Sequence, residues 1–297
     1  MARRKKKKLD KFEIFVLIIL IGVSIYTYVT ETSEASVFKE STVTDNLEVY
    51  FLDVGQADSI LIRSKDENVL IDAGNNEDGP KLVEYFKTLG ISKFSYVIGT
   101  HAHEDHIGGM DDIINNFEVG TFYMPDVPST TETFTEILDA LEKKGNYFDT
   151  PKIGDTFTSG EALFEVEFVG TNESDLNSDS IVLRLDHGNN SFLFTGDATK
   201  EVEDSVLDKN IDVDVLKVAH HGSPYSSTLR FLNKVTPKYA VISVGKNNIY
   251  KHPSDMIIKR LKKLGAEIYR TDKDGTIIME SDGNVLDIKK METETNG

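Results

Sequence analysis

Residues 100–109 read THAHEDHIGG and hold three histidines, one glutamate and one aspartate between positions 101 and 106. The segment follows an apolar run at 96–100, which predicts a buried strand, and it leads into a helical pattern at 105–117. Ligand-binding and catalytic groups gather where strands give way to helices in α/β folds. This junction is therefore the first candidate for chemistry.

The spacing within this segment is typical of a metal site. Alternate residues of an extended chain share one side, so His101 and His103 point the same way. Asp105 and His106 then enter the helix and face a second point nearby. Imidazole and carboxylate groups are ligands for zinc and manganese. A solvated polar loop would seldom collect three of the chain's seven histidines.

Two later strand ends carry matching groups. Residues 194–197 read FTGD and end a predicted strand at Asp197, while residues 218–223 read VAHHGS and end the next strand at His220 and His221. An aspartate after a glycine is by itself more often a helix cap than a ligand. Three strand ends with the same chemistry favour one shared site.

The remaining two histidines divide between the site and the scaffold. His252, in YKHP at 250–253, is the sixth histidine that falls at or beside such a strand end. His187 lies on a predicted hairpin turn, and we interpret it as incidental to the site.

From residue 47 onward, short β-rich runs alternate with helical patterns. Predicted strands lie at 47–54, 59–64, 68–72, 96–100, 163–169, 180–186, 191–195, 213–219, 239–244, 266–270, 276–280 and 284–288. Predicted helices lie at 80–89, 105–117, 133–144, 200–207 and 253–264. The alternation predicts one α/β domain with mixed sheets over residues 47–290, rather than two independent domains.

Composition excludes several classes of protein. Of the 297 residues, 39% are hydrophobic and 28% are charged, which excludes global disorder. The chain has no cysteine, which excludes a disulfide scaffold and any cysteine-ligated zinc or iron–sulfur site. The net charge of −17 argues against a protein that binds nucleic acid by bulk charge.

The N-terminal part of the chain predicts a membrane anchor. Residues 1–11 contain seven Lys or Arg and one Asp, which leaves 26 basic and 49 acidic side chains in the rest of the chain. Residues 14–30 carry no charge, so we predict a single transmembrane helix over 12–30 with its N-terminus cytoplasmic and the folded domain extracellular. A cleaved signal peptide and a secreted protein are the alternative. Residues 31–46 predict a flexible linker, and residues 291–297 a polar tail.

The motif HAHEDH matches the HxHxDH signature of the metallo-β-lactamase superfamily. Further segments resemble the C-terminal hydrolase domain of ComEC-type late competence proteins, and the resemblance spans residues 47–288. These segments are FLDVGQADS at 51–59, LIDAG at 70–74, SIVL at 180–183, TGD at 195–197, HHGS at 220–223, SVG at 243–245, YKHP at 250–253 and TDKDG at 271–275. The resemblance implies a four-layer αββα sandwich, α/β in class (α+β in some schemes), with a metal site at one sheet edge.

The resemblance also implies two divalent metal ions, Zn²⁺ or Mn²⁺, and their ligands. His101 and His103 would hold the first ion, and Asp105 and His106 the second. Asp197 would bridge the two ions.

One histidine of the 220–221 pair would complete the second site. We favour His220 because it ends the predicted strand, while His221 stays an alternative and His252 is a further candidate. Asp72 would orient an imidazole through its other ring nitrogen.

Other polar residues are expected at the rim of the site. Ser180 and Ser223 are further candidates, and Ser223 or a backbone N–H would assist a developing oxyanion. Asp53 and Gln56 either shape the rim or stabilise a turn by hydrogen bonds.

The sequence departs from the superfamily pattern at two places. Members that cleave lactams or thioesters usually have a further histidine between HxHxDH and the bridging aspartate. Here residues 177–180 occupy that place, an absence that ComEC-type domains share and that leaves the first metal with fewer ligands. Ala57 stands where the family usually has glycine.

The implied activity is hydrolysis by a metal-bound hydroxide that Asp105 and Asp197 position, and the implied substrate is a phosphodiester in nucleic acid or a nucleotide. One alternative is a lactonase or another small-ester hydrolase. Another is a non-catalytic, metal-containing accessory protein of the cell surface. The expected partner is the lipid bilayer, and the sequence indicates no particular protein partner.

Overall fold

The structure is a computed structural model, and it describes residues 45–171 and 175–291. The predicted basic segment, the anchor at 12–30, most of the linker and the chain after Met291 lie outside these ranges. Within the two described ranges, no helix combines the length and the apolar character that crossing a bilayer requires.

The described strands form two sheets of mixed direction. In chain order they are β1 (Leu47–Phe51), β2 (Ser59–Ser64), β3 (Glu67–Ala73), β4 (Lys93–Ile98), β5 (Glu118–Tyr123), β6 (Phe148–Asp149), β7 (Thr156–Ser159), β8 (Ala162–Phe168), β9 (Val182–His187), β10 (Asn190–Phe194), β11 (Val215–Lys217), β12 (Tyr239–Ile242), β13 (Glu267–Arg270), β14 (Thr276–Ser281) and β15 (Leu286–Met291). The first sheet has the order β15-β14-β1-β2-β3-β4-β5-β6, and the second has the order β13-β12-β11-β10-β9-β8-β7.

Most of the described α-helices cover the outer faces of the two sheets. They are α1 (Gly79–Thr88), α2 (Glu104–Ile107), α3 (Met110–Asn116), α4 (Glu132–Lys144), α5 (Lys200–Ser205), α6 (Leu229–Val235), α7 (Asp255–Leu264) and α8 (Thr271–Asp274). Helices α1, α3 and α4 pack on the first sheet, and α5, α6 and α7 pack on the second.

Alternation along the strands produces these layers. In β1, Leu47, Val49 and Phe51 face the core between the sheets, while Tyr50 faces the helices outside. In β10, Phe192 and Phe194 likewise point inward. Because side chains alternate between the two faces of a strand, one strand contributes side chains both to the core between the sheets and to the core under the outer helices. The result is the αββα sandwich that the resemblance implied.

The helix predicted over 105–117 is in fact two helices, α2 and α3, separated at Gly108 and Gly109. A Cβ atom on Gly108 would lie 2.2 Å from the backbone nitrogen of Asn76, and one on Gly109 would lie 2.5 Å from the carbonyl oxygen of Ala73. The glycine pair therefore lets the histidine-rich segment pack directly on the loop after β3.

Other differences from the predicted elements have local causes. Strand β15 extends to Met291, a residue assigned to the polar tail, because Met291 pairs with Thr276 of β14. Helix α7 begins at Asp255, since Ser254 caps it by accepting from the backbone N–H of Ile257. His187 ends β9 instead of lying on the predicted hairpin turn, and it is buried.

The site lies where parallel strands of both sheets end. Strands β3, β4 and β5 are parallel neighbours in the first sheet, and β10, β11 and β12 are parallel neighbours in the second. The histidine-rich segment follows β4, Asp197 follows β10, and the histidine pair follows β11. The topology thus brings the three predicted strand ends together.

Candidate metal centre

The segment after β4 is fixed from both sheets. The backbone nitrogen of Thr100 donates to Asp72 Oδ1 at 2.8 Å, and the Thr100 hydroxyl donates to Asp72 Oδ2 at 2.8 Å. The carbonyl oxygen of Thr100 accepts from the backbone of Ile181 at 2.9 Å, next to the second sheet. These bonds hold the histidines that follow in a buried, rigid setting.

Asp72 orients His106. Nδ1 of His106 lies 2.7 Å from Asp72 Oδ2, so this nitrogen carries the hydrogen and donates it to the carboxylate. Nε2 of His106 faces Oδ1 of Asp197 at 3.2 Å, and in the neutral ring this nitrogen offers its lone pair to a cation. A carboxylate behind an imidazole is the usual arrangement around a metal-ligating histidine. Asp72 therefore lies behind His106, in contact with the ring nitrogen that does not face Asp197.

His221 is oriented in the same way by a backbone carbonyl. Its Nδ1 donates to the carbonyl oxygen of Ser243, just beyond β12, at 3.0 Å. Its Nε2 then faces Asp105 Oδ2 at 3.3 Å and Asp197 Oδ1 at 3.8 Å. His221 is 2% exposed, so the ring is enclosed as well as oriented.

Three buried polar atoms converge without a hydrogen-bond partner among the described residues: His106 Nε2, His221 Nε2 and Asp197 Oδ1. Burying polar atoms without partners costs free energy, so a protein keeps such a cluster where something binds to it. Two lone pairs and a carboxylate oxygen are donors that a divalent cation needs. The residues present therefore fit a metal ion.

His101 and His103 form a neighbouring pair. His101 is fully buried, and its Nδ1 lies 3.1 Å from the Thr100 hydroxyl. Its Nε2 lies 3.0 Å from Nδ1 of His103. Potential ligand atoms of His101, His106 and Asp197 lie within 4.8 Å of one another, and so do those of Asp105, His106 and His221. Two overlapping groups of ligands therefore share His106, with Asp197 beside both.

His220 approaches from the cleft side. Its Nε2 lies 3.6 Å from Oδ2 of Asp197, whereas His221 approaches Oδ1. Both histidines have positive φ values, 51° and 52°, and Gly222 follows with φ 82°. Left-handed backbone at residues with a Cβ is strained, and such strain concentrates at functional sites. This turn is what lets two adjacent imidazoles face one carboxylate.

The centre forms the floor of an open cleft of about 290 Å³. The residues that line it are Gln56, His103, Glu104, Asp105, Asp197, His220, His221, Tyr250 and His252. The His252 ring lies 5.9 Å from the His220 ring, and burial lowers the pKa of His252. His252 thus contacts the centre from its rim.

The remaining predicted rim residues have positioning roles. Ser180 Oγ accepts from the backbone nitrogen of Asp197 at 3.1 Å and so holds the backbone of this residue in place. Ser223 is buried and accepts from the backbone of Tyr225 at 3.4 Å. Asp53 Oδ1 accepts from Gly55 at 3.4 Å, which stabilises a turn, whereas Gln56 both lines the cleft and accepts from Gly245 at 3.1 Å.

Histidines and carboxylates shift one another's pKa values in this centre. Burial acts to raise the pKa of Asp105 and of Asp197, but nearby His106 and His221, which are cationic when no metal is bound, outweigh it and hold both pKa values well below their usual range. For His101, burial and the neighbouring His106 lower the pKa well below its usual value. Both carboxylates are therefore ionised, as ligands for a cation must be.

Two buried residues of this centre were missed by the sequence analysis, Asp58 and Lys217. Asp58 Oδ1 lies 3.5 Å from Nδ1 of His221, and its Oδ2 lies 2.7 Å from the Lys217 ammonium. The sequence did carry two signals, an acidic residue beside the apolar strand at 59–64 and a lysine inside the predicted apolar strand at 213–219. His187 lies elsewhere, bonded to Ser281 Oγ at 2.8 Å.

Comparisons with known proteins agree with this geometry. Residues 52–246 match the family described as the metallo-beta-lactamase superfamily. The chain is 32% identical to ComE operon protein 3 of Bacillus subtilis (strain 168) over 251 residues, which is 77% of this chain and 32% of that protein. It is 29% identical to Competence protein ComA of Neisseria gonorrhoeae over 232 residues, 76% of this chain and 31% of that protein. The chain thus spans about a third of the length of these relatives.

A solved structure supports the fold. The metallo-beta-lactamase fold protein YhfI from Bacillus subtilis superposes with a TM-score of 0.56 at 14% identity, covering 80% of this chain and 100% of that one. The resemblance to ComEC-type domains is confirmed by the sequence relatives, and the histidine and aspartate groups support the use of a divalent metal. Fold, motif and family match agree, and the chain belongs to the metallo-β-lactamase superfamily.

Proposed function

We propose that this protein is a membrane-anchored, extracytoplasmic, metal-dependent hydrolase that cleaves phosphodiester bonds in nucleic acid or a nucleotide. The observation that carries the proposal is the convergence of three unpartnered buried atoms, on His106, His221 and Asp197, beneath an open cleft. Family membership supports a metal-dependent hydrolase. The resemblance to ComEC-type hydrolase domains, which the sequence relatives support, favours a phosphodiester as the substrate.

We propose two divalent ions, Zn²⁺ or Mn²⁺, in this centre. His101 and His103 would hold one ion and Asp105, His106 and His221 the other, with Asp197 between them. In this assignment His221 replaces His220 as the ligand that completes the second site, because its orientation is fixed and its Nε2 belongs to the group with Asp105. When bound, such ions activate water and neutralise charge on the attacked centre.

The protein's own groups orient the reactants. Asp105 is partly exposed to the cleft at 32% and is ionised, so its carboxylate can position an attacking water as well as a cation. His220 faces the outer oxygen of Asp197 and, together with His252, lines the side of the cleft that a substrate enters. Their imidazoles are placed to donate hydrogen bonds to a phosphate oxygen.

The mouth of the cleft favours a substrate with an aromatic base. Tyr250 lines the cleft and is 62% exposed, and its neighbour Ile249 is 85% exposed. Exposed aromatic rings beside a channel are stacking surfaces for nucleobases. The side chain of Asn248 bonds to the carbonyl oxygens of Gly245 and His252, at 3.0 and 2.8 Å. These bonds keep the loop that carries Tyr250 in place.

The membrane part of the proposal rests on the sequence. Seven basic residues within 1–11 precede an uncharged apolar run over 14–30, which favours an N-terminus in the cytoplasm and the hydrolase domain outside. Membrane fractionation with N-terminal sequencing tests it. A mature chain in the soluble fraction that lacks residues 1–30 would indicate a cleaved signal peptide instead.

The test of activity combines metal analysis with turnover. We expect the purified protein to bind Mn²⁺ or Zn²⁺ and to hydrolyse a generic phosphodiester, and His103→Ala to abolish turnover. His187→Ala is the matched control, because His187 is buried but bonded to Ser281 outside the centre. Metal binding without turnover of any ester would contradict the enzyme, and turnover of lactones alone would indicate a lactonase.

A further inference from the structure

A buried lysine lies beneath the centre. Lys217 ends β11 and is 1% exposed. Alternation along the strand places Leu216 against the outer helices and Val215 in the core between the sheets. Lys217 therefore points into the same apolar layer as Val215. An ammonium group in such a place is costly unless a specific partner compensates it.

The partner of this lysine is Asp58, itself 1% exposed. Lys217 Nζ lies 2.7 Å from Asp58 Oδ2, and it also donates to the carbonyl oxygen of Val218 at 3.2 Å. Asp58 precedes β2 of the first sheet, and Lys217 belongs to β11 of the second. The ion pair thus joins the two sheets directly under the metal ligands.

Asp58 contacts the ligand segments through both its backbone and its side chain. Its N–H donates to the carbonyl oxygen of Asp105 at 3.0 Å, and its carbonyl oxygen accepts from Gly74 at 2.8 Å. Its carboxylate lies 3.5 Å from Nδ1 of His221 and 4.0 Å from Nδ1 of His106. Asp58 therefore lies behind both of the imidazoles whose Nε2 atoms face the proposed ion.

A third group of potential metal ligands lies beside Lys217, and the charge of this lysine explains why the group needs no cation. Ligand atoms of Asp58, Asp72 and His106 lie within 4.8 Å of one another and resemble a cation site. The Lys217 ammonium already supplies a positive charge to this group at 2.7 Å from Asp58. Because this group already contains a positive charge, it needs no cation. Nε2 of His106 faces Asp197 instead.

We propose that the Lys217–Asp58 ion pair is a positioning element of the metal centre, which holds His106 and His221 in the orientation that the second ion requires. The proposal rests on the metal centre proposed above. It assigns neither residue a contact with substrate. Positioning partners behind metal ligands typically change metal affinity by about 10- to 100-fold when they are removed.

The test uses Lys217→Met, which removes the charge but keeps the length of the side chain, and the double variant Lys217→Met/Asp58→Asn, which leaves no unpaired buried charge. The matched control is Lys238→Met. Lys238, just before β12, forms an ion pair of 2.6 Å with Asp214, just before β11. The side chain of Lys238 is 73% exposed. The full-length protein is freed of metal and titrated with Co²⁺, with calorimetry and visible absorption as readouts, and its thermal unfolding without metal is recorded.

For Lys217→Met we expect the affinity for the second Co²⁺ to fall by about 10- to 100-fold and the absorption of that site to change. The Lys238→Met control should bind two ions as the wild type does. The double variant should bind the second ion with intermediate affinity, and it provides the test if Lys217→Met does not fold.

Either folded variant that binds both ions with wild-type affinity and spectrum would overturn the proposal, even if its melting temperature falls, because the pair would then be structural only. A wild-type protein that takes up no second ion would contradict the metal centre itself. The two failures are therefore distinguishable.

Discussion

His106 and His221 reach one carboxylate from different sheets, and each is oriented through Nδ1. Asp72 accepts from His106, and the carbonyl oxygen of Ser243 accepts from His221. His220 has no such hydrogen bond behind its ring among the described residues and is more exposed, at 28% of its side chain. Preorganised rings bind a metal without further loss of rotamer freedom, and for this reason we propose His221 rather than His220 as the ligand.

We predict that His221→Ala impairs metal binding, whereas His220→Ala impairs turnover without loss of metal. His221→Ala should lose the second metal ion, with affinity reduced by at least the ~10- to 100-fold that loss of an orienting partner costs. His220→Ala should retain both ions and lose turnover, since His220 faces the cleft. Metal content after dialysis, measured beside turnover of a phosphodiester, checks this. Loss of an ion from His220→Ala alone would reverse the assignment.

At this scale the sequence predicted which residues converge, but it did not predict all of their hydrogen-bond and ion-pair partners. The HxHxDH spacing and the two strand ends identified the residues that converge, because each lies next to an apolar run that local patterns reveal. The choice within the histidine pair depends on the carbonyl of Ser243, and the pairing of Lys217 with Asp58 depends on contacts between two sheets. Local patterns do not encode such contacts.

Among the elements, α5 and α6 are joined by a buried carboxylate. Glu203 of α5 accepts from the backbone nitrogen of Ser227 and, at 2.9 Å, from that of Thr228, the residue that caps α6. Burial raises the pKa of Glu203 from 4.5 to about 7, against the lowering effect of these donors and of Arg260. This carboxyl group therefore titrates near neutral pH.

The raised pKa of Glu203 predicts a loss of stability as pH rises. Below about pH 4.5 the group is protonated in both the folded and the unfolded protein, and its contribution is complete. Between about pH 4.5 and 7 the unfolded chain ionises first, so the free energy of unfolding falls, by up to about 3 kcal/mol.

Glu203→Gln removes this titration and should flatten the dependence of unfolding on pH. Denaturant unfolding of both proteins at several pH values from about 4.5 to 7.5 measures the difference. Parallel curves for wild type and variant would show that Glu203 does not titrate in this window.

Elements with strong periodicity or clear end signals were predicted well, such as β2 at its observed bounds and α4 within one residue. Strand β5 and helix α6 were missed. Strand β5 reads EVGTFY and has β-favouring residues on both sides of Gly120, a glycine whose Cβ would lie 2.5 Å from the carbonyl oxygen of Ser95 in the paired strand β4. Helix α6 has only seven residues and depends on its cap at Thr228.

For the whole molecule, net charge bears on how the proposed nucleic-acid substrate would be held. Outside residues 1–11 the chain has 26 basic and 49 acidic side chains, and no lysine or arginine is among the described residues that line the cleft. Binding of a nucleic acid would therefore rest on the metal centre, on hydrogen bonds and on stacking at Tyr250. The protein as a whole repels the rest of the polyanion.

This balance predicts an unusual response to salt. A protein that holds nucleic acid through many phosphate contacts loses affinity steeply between about 50 and 200 mM salt, because bound counterions are released on association. For this protein, added salt mainly screens the repulsion between its acidic side chains and the oligonucleotide. The KM for a short single-stranded oligonucleotide should therefore stay within about two-fold or fall over this range. Initial rates at several salt concentrations and a fixed metal concentration measure this KM, and a small phosphodiester is the control substrate. A steep rise in KM for the oligonucleotide alone would reveal a basic surface in contact with it, and the exposed lysines of α7, at 259, 262 and 263, would be the first to replace.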